Sequence, residues 1–323
     1  MRTLVTGASG FIGQGLVAAL AAQAGLRRGA IASIDLLLTD LAADAPGSGA
    51  AASLRRIAGD IADPPLLGQL FAEPLDAIFH LAGVVSGAAE SDFALGKRVN
   101  LDATIALLER CRAQAERGGP VVRFVYASSI AVFGVPLPRR IDDATAPAPT
   151  LSYGAHKRAC EVLIDDYARR GCIDGRALRL PGVVVRPALP NGALSGFNSD
   201  LIREPLAGRK YVCPVSRKAT LWITSRRSAV ANLLRLADAD TATIGPIRAL
   251  NAPALAVSVG AIVDAVARVD PRAAGLVHCE AQPGLEAQFG RWPVDCAFER
   301  SRALGLESDA SLDALIRTHL ENA

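Results

Sequence analysis

Tyr153 and Lys157 stand four residues apart in the run Tyr153-Gly154-Ala155-His156-Lys157, a spacing that puts both side chains on one face of a helix. A phenol, with a reference pKa of about 10, is a poor base at neutral pH, and an adjacent ammonium stabilises the phenolate. The pair is therefore suited to taking the proton of an alcohol, with the ammonium able to donate to further hydroxyls. Upstream, Ser129 stands at the end of the fifth strand candidate, Val121 to Ala127, where its hydroxyl can hold a substrate oxygen beside the phenol. A Tyr and a Lys one turn apart are more often a surface pair, so the rest of the chain must supply a reason for the chemistry.

That reason is near the N-terminus, in Leu4-Val5-Thr6-Gly7-Ala8-Ser9-Gly10-Phe11-Ile12-Gly13. Gly7 follows an apolar strand candidate and permits a sharp turn out of it. Gly10 lets the backbone approach a pyrophosphate, and Gly13 lets the following helix pack on the strand. Ser9, Phe11 and Ile12 complete a turn whose free N–H groups and helix-dipole end favour an anion. An acidic residue ending the second strand selects the dinucleotide. Asp40 closes Leu36-Leu37-Leu38-Thr39, with Asp35 at the start of the run as its competitor. A carboxylate there accepts the ribose hydroxyls and repels a 2′-phosphate, and no arginine follows directly, which favours NAD over NADP. Asp60-Ile61 is expected at the adenine and Leu81-Ala82-Gly83 beneath the cofactor backbone.

The elements that position these groups alternate. Strands are expected at Thr3 to Thr6, Leu36 to Thr39, Arg56 to Ala58, Ala77 to His80, Val121 to Ala127 and Ala177 to Val185. Helices are expected at Phe11 to Ala24, Leu66 to Phe71, Asp92 to Glu116 and Tyr153 to Arg170. This is the pattern of an α/β, Rossmann-type doubly wound parallel sheet, with a smaller mixed C-terminal substrate lobe. Residues 1–178 read as the NAD-binding domain and 179–323 as the lobe, with some segments returning to the first domain. Ala188 to Leu221, rich in Pro, Gly, Ser and Arg, reads as irregular and substrate-facing. Further helices are expected at Ser225 to Ala237, Val257 to Val269, Ala297 to Leu304 and Ser311 to Leu320. Ala42 to Ala52 reads as a surface loop.

Bulk properties exclude other classes. The 323 residues carry 35 basic and 32 acidic side chains, a balance that argues against a nucleic-acid surface. No apolar run approaches the roughly 18 to 20 residues of a membrane span, and Met1-Arg2 leads straight into the first strand, so a cytoplasmic protein is expected. Six dispersed cysteines and four dispersed histidines form no metal-ligand spacing, so reduced thiols and no metal are expected.

With these residues placed, the chain resembles the extended short-chain dehydrogenase/reductase family along essentially its whole length. The resemblance is carried by Gly7, Gly10 and Gly13, by Asp60-Ile61, His80-Leu81-Ala82-Gly83, Asn100 in Val99-Asn100-Leu101, Ser128-Ser129 ahead of Val132-Phe133-Gly134, and Tyr153 with Lys157. It implies Tyr153 as base, Lys157 on the nicotinamide ribose, Ser129 on the substrate oxygen, Asn100 tying helix to strand, and Pro181 with Val183 walling the nicotinamide. It also implies a homodimer pairing Asp92 to Glu116 with Tyr153 to Arg170. A narrower similarity, to dehydrogenases of small sugar acids, rests on Val84-Val85-Ser86-Gly87, Leu180 to Pro187, Pro190-Asn191, Ser195-Gly196-Phe197, Ile202 to Gly208 and Cys213-Pro214-Val215. A sugar acid needs a cation for its carboxylate, for which Arg217 is the candidate with Arg186 and Arg203 as alternatives. Ser86, Asn191 and Ser195 are candidate hydroxyl partners. A nucleotide-sugar epimerase would use the same Tyr153, Lys157 and Ser129; a dehydratase is disfavoured because Ile130-Ala131, not an acidic pair, follows Ser129. His156 is given no role, Ser128 packs or caps, and Trp222 belongs to core or pocket wall.

Overall fold

The computed structural model describes residues 1–26, 35–40, 54–188 and 195–321, the backbone alone for 24–26 and 35–40. Strand β1 (Arg2–Thr6) is buried along its last four residues and breaks at Gly7, whose φ of +68° only glycine adopts freely. Then come α1 (Phe11–Leu26), β2 (Asp35–Asp40), β3 (Leu54–Ala58), α2 (Pro64–Leu70), β4 (Ala77–His80), α3 (Ser86–Ser91), α4 (Phe93–Lys97), α5 (Ala103–Glu116), β5 (Val122–Ser129), β6 (Arg140–Ile141), α6 (Ser152–Arg169) and β7 (Ile173–Leu180). The second half contributes β8 (Gly182–Val184), α7 (Phe197–Leu206), β9 (Tyr211–Cys213), β10 (Thr220–Ser225), α8 (Arg226–Asp238), α9 (Thr241–Ile244), β11 (Ala249–Asn251), β12 (Leu255–Ser258) and α10 (Val259–Val269), followed by shorter elements and a last helix at Leu312–Glu321.

Seven strands form one parallel sheet in the order β11-β7-β5-β4-β1-β2-β3. The chain winds outward from β1 in one direction and from β4 in the other, so the order reverses between these two strands. A crevice at the carboxyl ends of the strands opens at such a switch point. Consecutive strand residues point to opposite faces. Val5, Phe79, Val125 and Leu178 meet Leu16 and Leu20 of α1 and Val230 and Leu233 of α8, whereas Leu4, Ile78, Phe124 and Ala177 meet Leu107 and Cys111 of α5 and Cys160 and Ile164 of α6. Burial on both faces explains why these strands read as apolar runs rather than as alternating ones.

A smaller sheet, β12-β10-β8, carries the second lobe. There α7, α10 and the last helix close over Val184, Leu221 and Ile223. The strand expected from Ala177 to Val185 is in fact two, because Pro181 has no N–H with which to continue the ladder: β7 ends at Leu180 and β8 joins β10. The helix expected from Asp92 to Glu116 is interrupted as well. The Asp92 carboxylate caps α4 at Leu95 N, and a π-helical turn, Arg98–Asp102, separates α4 from α5. The stretch expected to be irregular contains α7 and β9. A division at 178/179 falls inside β7, and α8 and β11 return to the first domain's core and sheet. Ala42 to Ala52 lies outside the described residues. Among those described, no helix is long and apolar enough to cross a membrane.

Candidate active site

Helix α6 buries Gly154, Lys157, Cys160, Glu161 and Ile164, the spacing of one helical face. It starts hard against the turn after β5, where a Cβ at Gly154 would lie 2.0 Å from the Ala131 carbonyl oxygen. That contact admits only glycine, and it brings Tyr153 beside Ser129. The Ser129 hydroxyl oxygen accepts the Ala131 N–H at 3.1 Å, which leaves its own hydrogen to donate elsewhere. Ser128 points the other way and donates to Glu161 Oε1 at 2.7 Å.

Lys157 is 3% exposed. Its ammonium donates to the Ala127 carbonyl at 2.8 Å and lies 4.5 Å from the ring centre of Tyr126 and 5.6 Å from that of Tyr153. Gly83 passes close by: a Cβ there would sit 3.0 Å from Asn100 Oδ1 and 3.7 Å from Lys157 Nζ. Asn100, in the π turn, accepts from Val84 N at 2.8 Å and donates to the Val84 carbonyl at 2.9 Å, so it fixes the segment after β4. Beneath it, the Thr6 hydroxyl accepts from Leu81 N and Ala82 N and donates to His80 Nδ1 at 2.7 Å. His80 Nε2 then donates to Thr104 at 3.0 Å, and Thr104 to the Asn100 carbonyl. Burial, helped by the Lys157 charge, pushes His80 down to about 3, so the imidazole is neutral and this chain of bonds has a fixed direction.

Two clefts meet at this point. One runs from Gly7, Gly10, Phe11, Ile12 and Gly13 past Leu81, Gly83, Pro181 and Val183 to Lys157. The other is a pocket walled by Ser86, Leu221, Trp222 and Trp292. Val85, Ser129, Tyr153, Leu180, Pro181 and Arg186 line both. The first cleft fits a dinucleotide. A Cβ on Gly7 would stand 2.7 Å from Ala82 N and one on Gly13 2.1 Å from the Gly7 carbonyl oxygen, so helix, turn and strand approach as only glycines allow. Of the remaining candidates, Asp40 ends β2 opposite Ala58 and Asp35 begins it. Asp60 accepts from Ala62 N at 2.9 Å and pairs with Arg98; burial opposes its ionisation, but these two partners outweigh it and hold the carboxyl below its ordinary range. Ile61 is buried among Leu66, Leu67 and Leu70.

In the pocket, Ser86 and Ser195 are both present, while Asn191 lies outside the described residues. Arg217 is not brought to either cleft. It is half exposed and ion-paired with Asp264 of α10 at 2.8 Å, and its carbonyl holds Gly260 N, because its loop is pinned to the start of α10. Arg186 stands in the pocket instead. Trp222 proves to be core and wall at once: it is 1% exposed, with Nε1 donating to the Pro293 carbonyl and its ring against Trp292 and Phe298. His156 is buried beside Phe93, its pKa lowered chiefly by burial. Sequence reasoning missed Asn198, 7% exposed and lining the pocket, one residue past the quoted Ser195-Gly196-Phe197. Among the described residues, no three His, Cys, Asp or Glu side chains gather as for a metal, and the six cysteines are free.

Known proteins resemble this chain over its whole length. The D-erythronate dehydrogenase of Cupriavidus necator is 43% identical over 324 residues, covering 100% of this chain and 99% of its own. The D-erythronate dehydrogenase of Haemophilus influenzae is 36% identical, with 99% of each chain covered. Among solved structures, a nucleoside-diphosphate-sugar epimerase from Agrobacterium tumefaciens superposes with a TM-score of 0.92 at 36% identity, over 100% of this chain and 94% of that one. The L-threonine dehydrogenase of Phytophthora infestans gives 0.83 at 26% identity, over 100% and 99%. Residues 3–226 match the NAD dependent epimerase/dehydratase family, so with these full-length relatives the chain belongs to that family, the extended short-chain dehydrogenases/reductases, as an NAD-dependent dehydrogenase acting on a CH–OH group.

Proposed function

We propose that the protein oxidises D-erythronate at C2 to the 2-oxo acid with NAD⁺. The observation that carries this reading is the convergence of Ser129 and Tyr153 at the seam where the glycine-turn cleft meets the tryptophan-walled pocket, with Lys157 in the first cleft beside them. Bound NAD⁺ supplies the acceptor for the C2 hydrogen and its electron pair. Tyr153 takes the hydroxyl proton, Ser129 donates to the same oxygen and holds it, and the buried Lys157 ammonium steadies the phenolate that begins the cycle. Asp40, at the carboxyl end of β2, gives the preference for NAD over NADP; an Asp40→Ala variant that kept the wild-type ratio would move that role elsewhere.

The test is NADH production from NAD⁺ against four- to six-carbon aldonates and nucleotide sugars. Aldonate-dependent NADH with D-erythronate preferred is the expected result. Interconversion of a nucleotide sugar with no aldonate-dependent NADH would replace this reading by the epimerase one, which the likeness to the Agrobacterium tumefaciens structure favours. We further propose a homodimer formed through α5 and α6. Leu108 and Ile164 of these helices are committed to the protein's own core, whereas Val162 is 50% exposed on α6 and is free for the contact. A light-scattering mass of one chain at working concentration would exclude the dimer.

A further inference from the structure

The seam holds one cation that the proton chemistry leaves unused. Arg186 is held on three sides: its Nε donates to the Val183 carbonyl at 3.2 Å, its amide donates to Ser199 Oγ at 3.0 Å, and its carbonyl accepts from Arg203. Among the described residues, no carboxylate pairs with its guanidinium. The alternatives are engaged: Arg203 by Asp200 and Glu204, Arg217 by Asp264. Behind Arg186, a second cavity is lined by Arg203, Arg226 and Arg227, so arginines gather on that side as well. Burial lowers the Arg186 pKa, and the Tyr153 hydroxyl is the titratable group near enough to oppose the shift, which places guanidinium and phenol within electrostatic reach. In the same pocket, Asn198 Oδ1 is buried without a hydrogen-bond partner among the described residues. A buried, unmatched acceptor is costly unless a ligand satisfies it.

We infer that Arg186 and Asn198 form the substrate subsite, Arg186 taking the carboxylate and Asn198 accepting a hydroxyl farther along the carbon chain. The planar fork of the guanidinium suits two-point capture of a carboxylate. Because Arg186 lines the seam with Tyr153, a carboxylate held there leaves the neighbouring carbon's hydroxyl nearest the phenol. The site is thereby matched to 2-hydroxy acids rather than to alcohols remote from the charge. This rests on the dehydrogenase reading above and assigns the anchor to Arg186 in place of Arg217.

Three measurements test it: rates with D-erythronate, rates with the neutral polyol erythritol, and calorimetric binding of glycolate to the enzyme–NADH complex. In Arg186→Met, KM for D-erythronate is expected to rise by about 10- to 1000-fold, with KM for NAD⁺ unchanged, the preference over erythritol lost and glycolate binding abolished. Should that variant fail to fold, Arg186→Lys, which keeps the charge without the fork, is expected to show the same changes in smaller degree. Asn198→Ala is expected to raise KM for D-erythronate by roughly 10-fold while glycolate, which has no second hydroxyl, still binds. Arg217→Met is the control and should change nothing. Wild-type affinity for D-erythronate and glycolate in the folded Arg186 variants would overturn the proposal, as would loss of affinity in Arg217→Met instead. If the wild-type protein oxidises no aldonate, the dehydrogenase reading fails by itself, and glycolate binding still decides on Arg186: lost in Arg186→Met supports it, unchanged or absent from the wild type overturns it.

Discussion

On the proposed mechanism Tyr153 and Lys157 have separable duties, and their variants should differ accordingly. Tyr153→Phe removes the proton acceptor alone, so kcat is expected to fall by about 100- to 10,000-fold while NAD affinity, read by fluorescence titration, stays near wild type. Lys157→Ala should damage both quantities, since the ammonium also faces the cleft that begins at the glycine turn. A Tyr153→Phe enzyme with ordinary turnover would place the base elsewhere. These residues were legible in the sequence because their chemistry demands a local spacing: four residues on a helix, three glycines in a turn, a serine at a strand end. Arg217 was misread for the converse reason. Whether an arginine in a loop faces a pocket is decided by its tertiary partner, here Asp264, which no local pattern reveals. The same holds for Arg186, whose position follows from the ending of β7 ahead of Pro181 and the passage of β8 into another sheet.

At the level of elements, α6 is not held by apolar packing alone. Glu161, wholly buried, accepts from Ser128 of β5 and takes a two-point contact from Arg179 of β7, each bond 2.9 Å, with Arg158 at 3.1 Å. Arg179 also stacks on Phe133, 5.3 Å from its ring centre. This cluster fixes the helix bearing Tyr153 to the strand ending in Ser129. Removing one partner of a buried pair leaves the other charge uncompensated, so Glu161→Ala is expected to lose about 3–5 kcal/mol in denaturant unfolding. A loss under 1 kcal/mol would mean that water or a rearrangement satisfies Arg179. Nothing in the sequence marked Glu161, since a glutamate within a helix ordinarily faces solvent. The π turn at Arg98–Asp102 was equally hidden, although Asn100, a poor helix former, was its one trace.

On the scale of the whole molecule, His80 links β1, β4 and α5 in its neutral form, and this couples global stability to pH. Its folded pKa, about 3, lies below the unfolded value near 6.5. Between these limits the unfolded chain binds the extra proton, so stability is complete above about pH 6.5 and falls with acidification toward pH 3, at up to about 1.4 kcal/mol per pH unit. Urea midpoints of wild type and His80→Gln across this window should converge as pH falls; parallel curves would show that His80 titrates normally. The alternation of short strands and helices made the parallel sheet legible, and some return to it was expected, but not that α8 and β11 are the segments that return, because a three-residue strand and an amphipathic helix look alike in either lobe. That return has a consequence for cooperativity. A fragment ending at Leu180 keeps the glycine turn, Ser129, Tyr153 and Lys157, yet it bares the β7 edge that β11 covers and strips Val230 and Leu233 from Leu16 and Leu20. The intact chain is therefore expected to melt in one calorimetric transition, and the fragment to show no transition at all, so that the half carrying the glycine turn owes its existence as a folded body to the half that follows it.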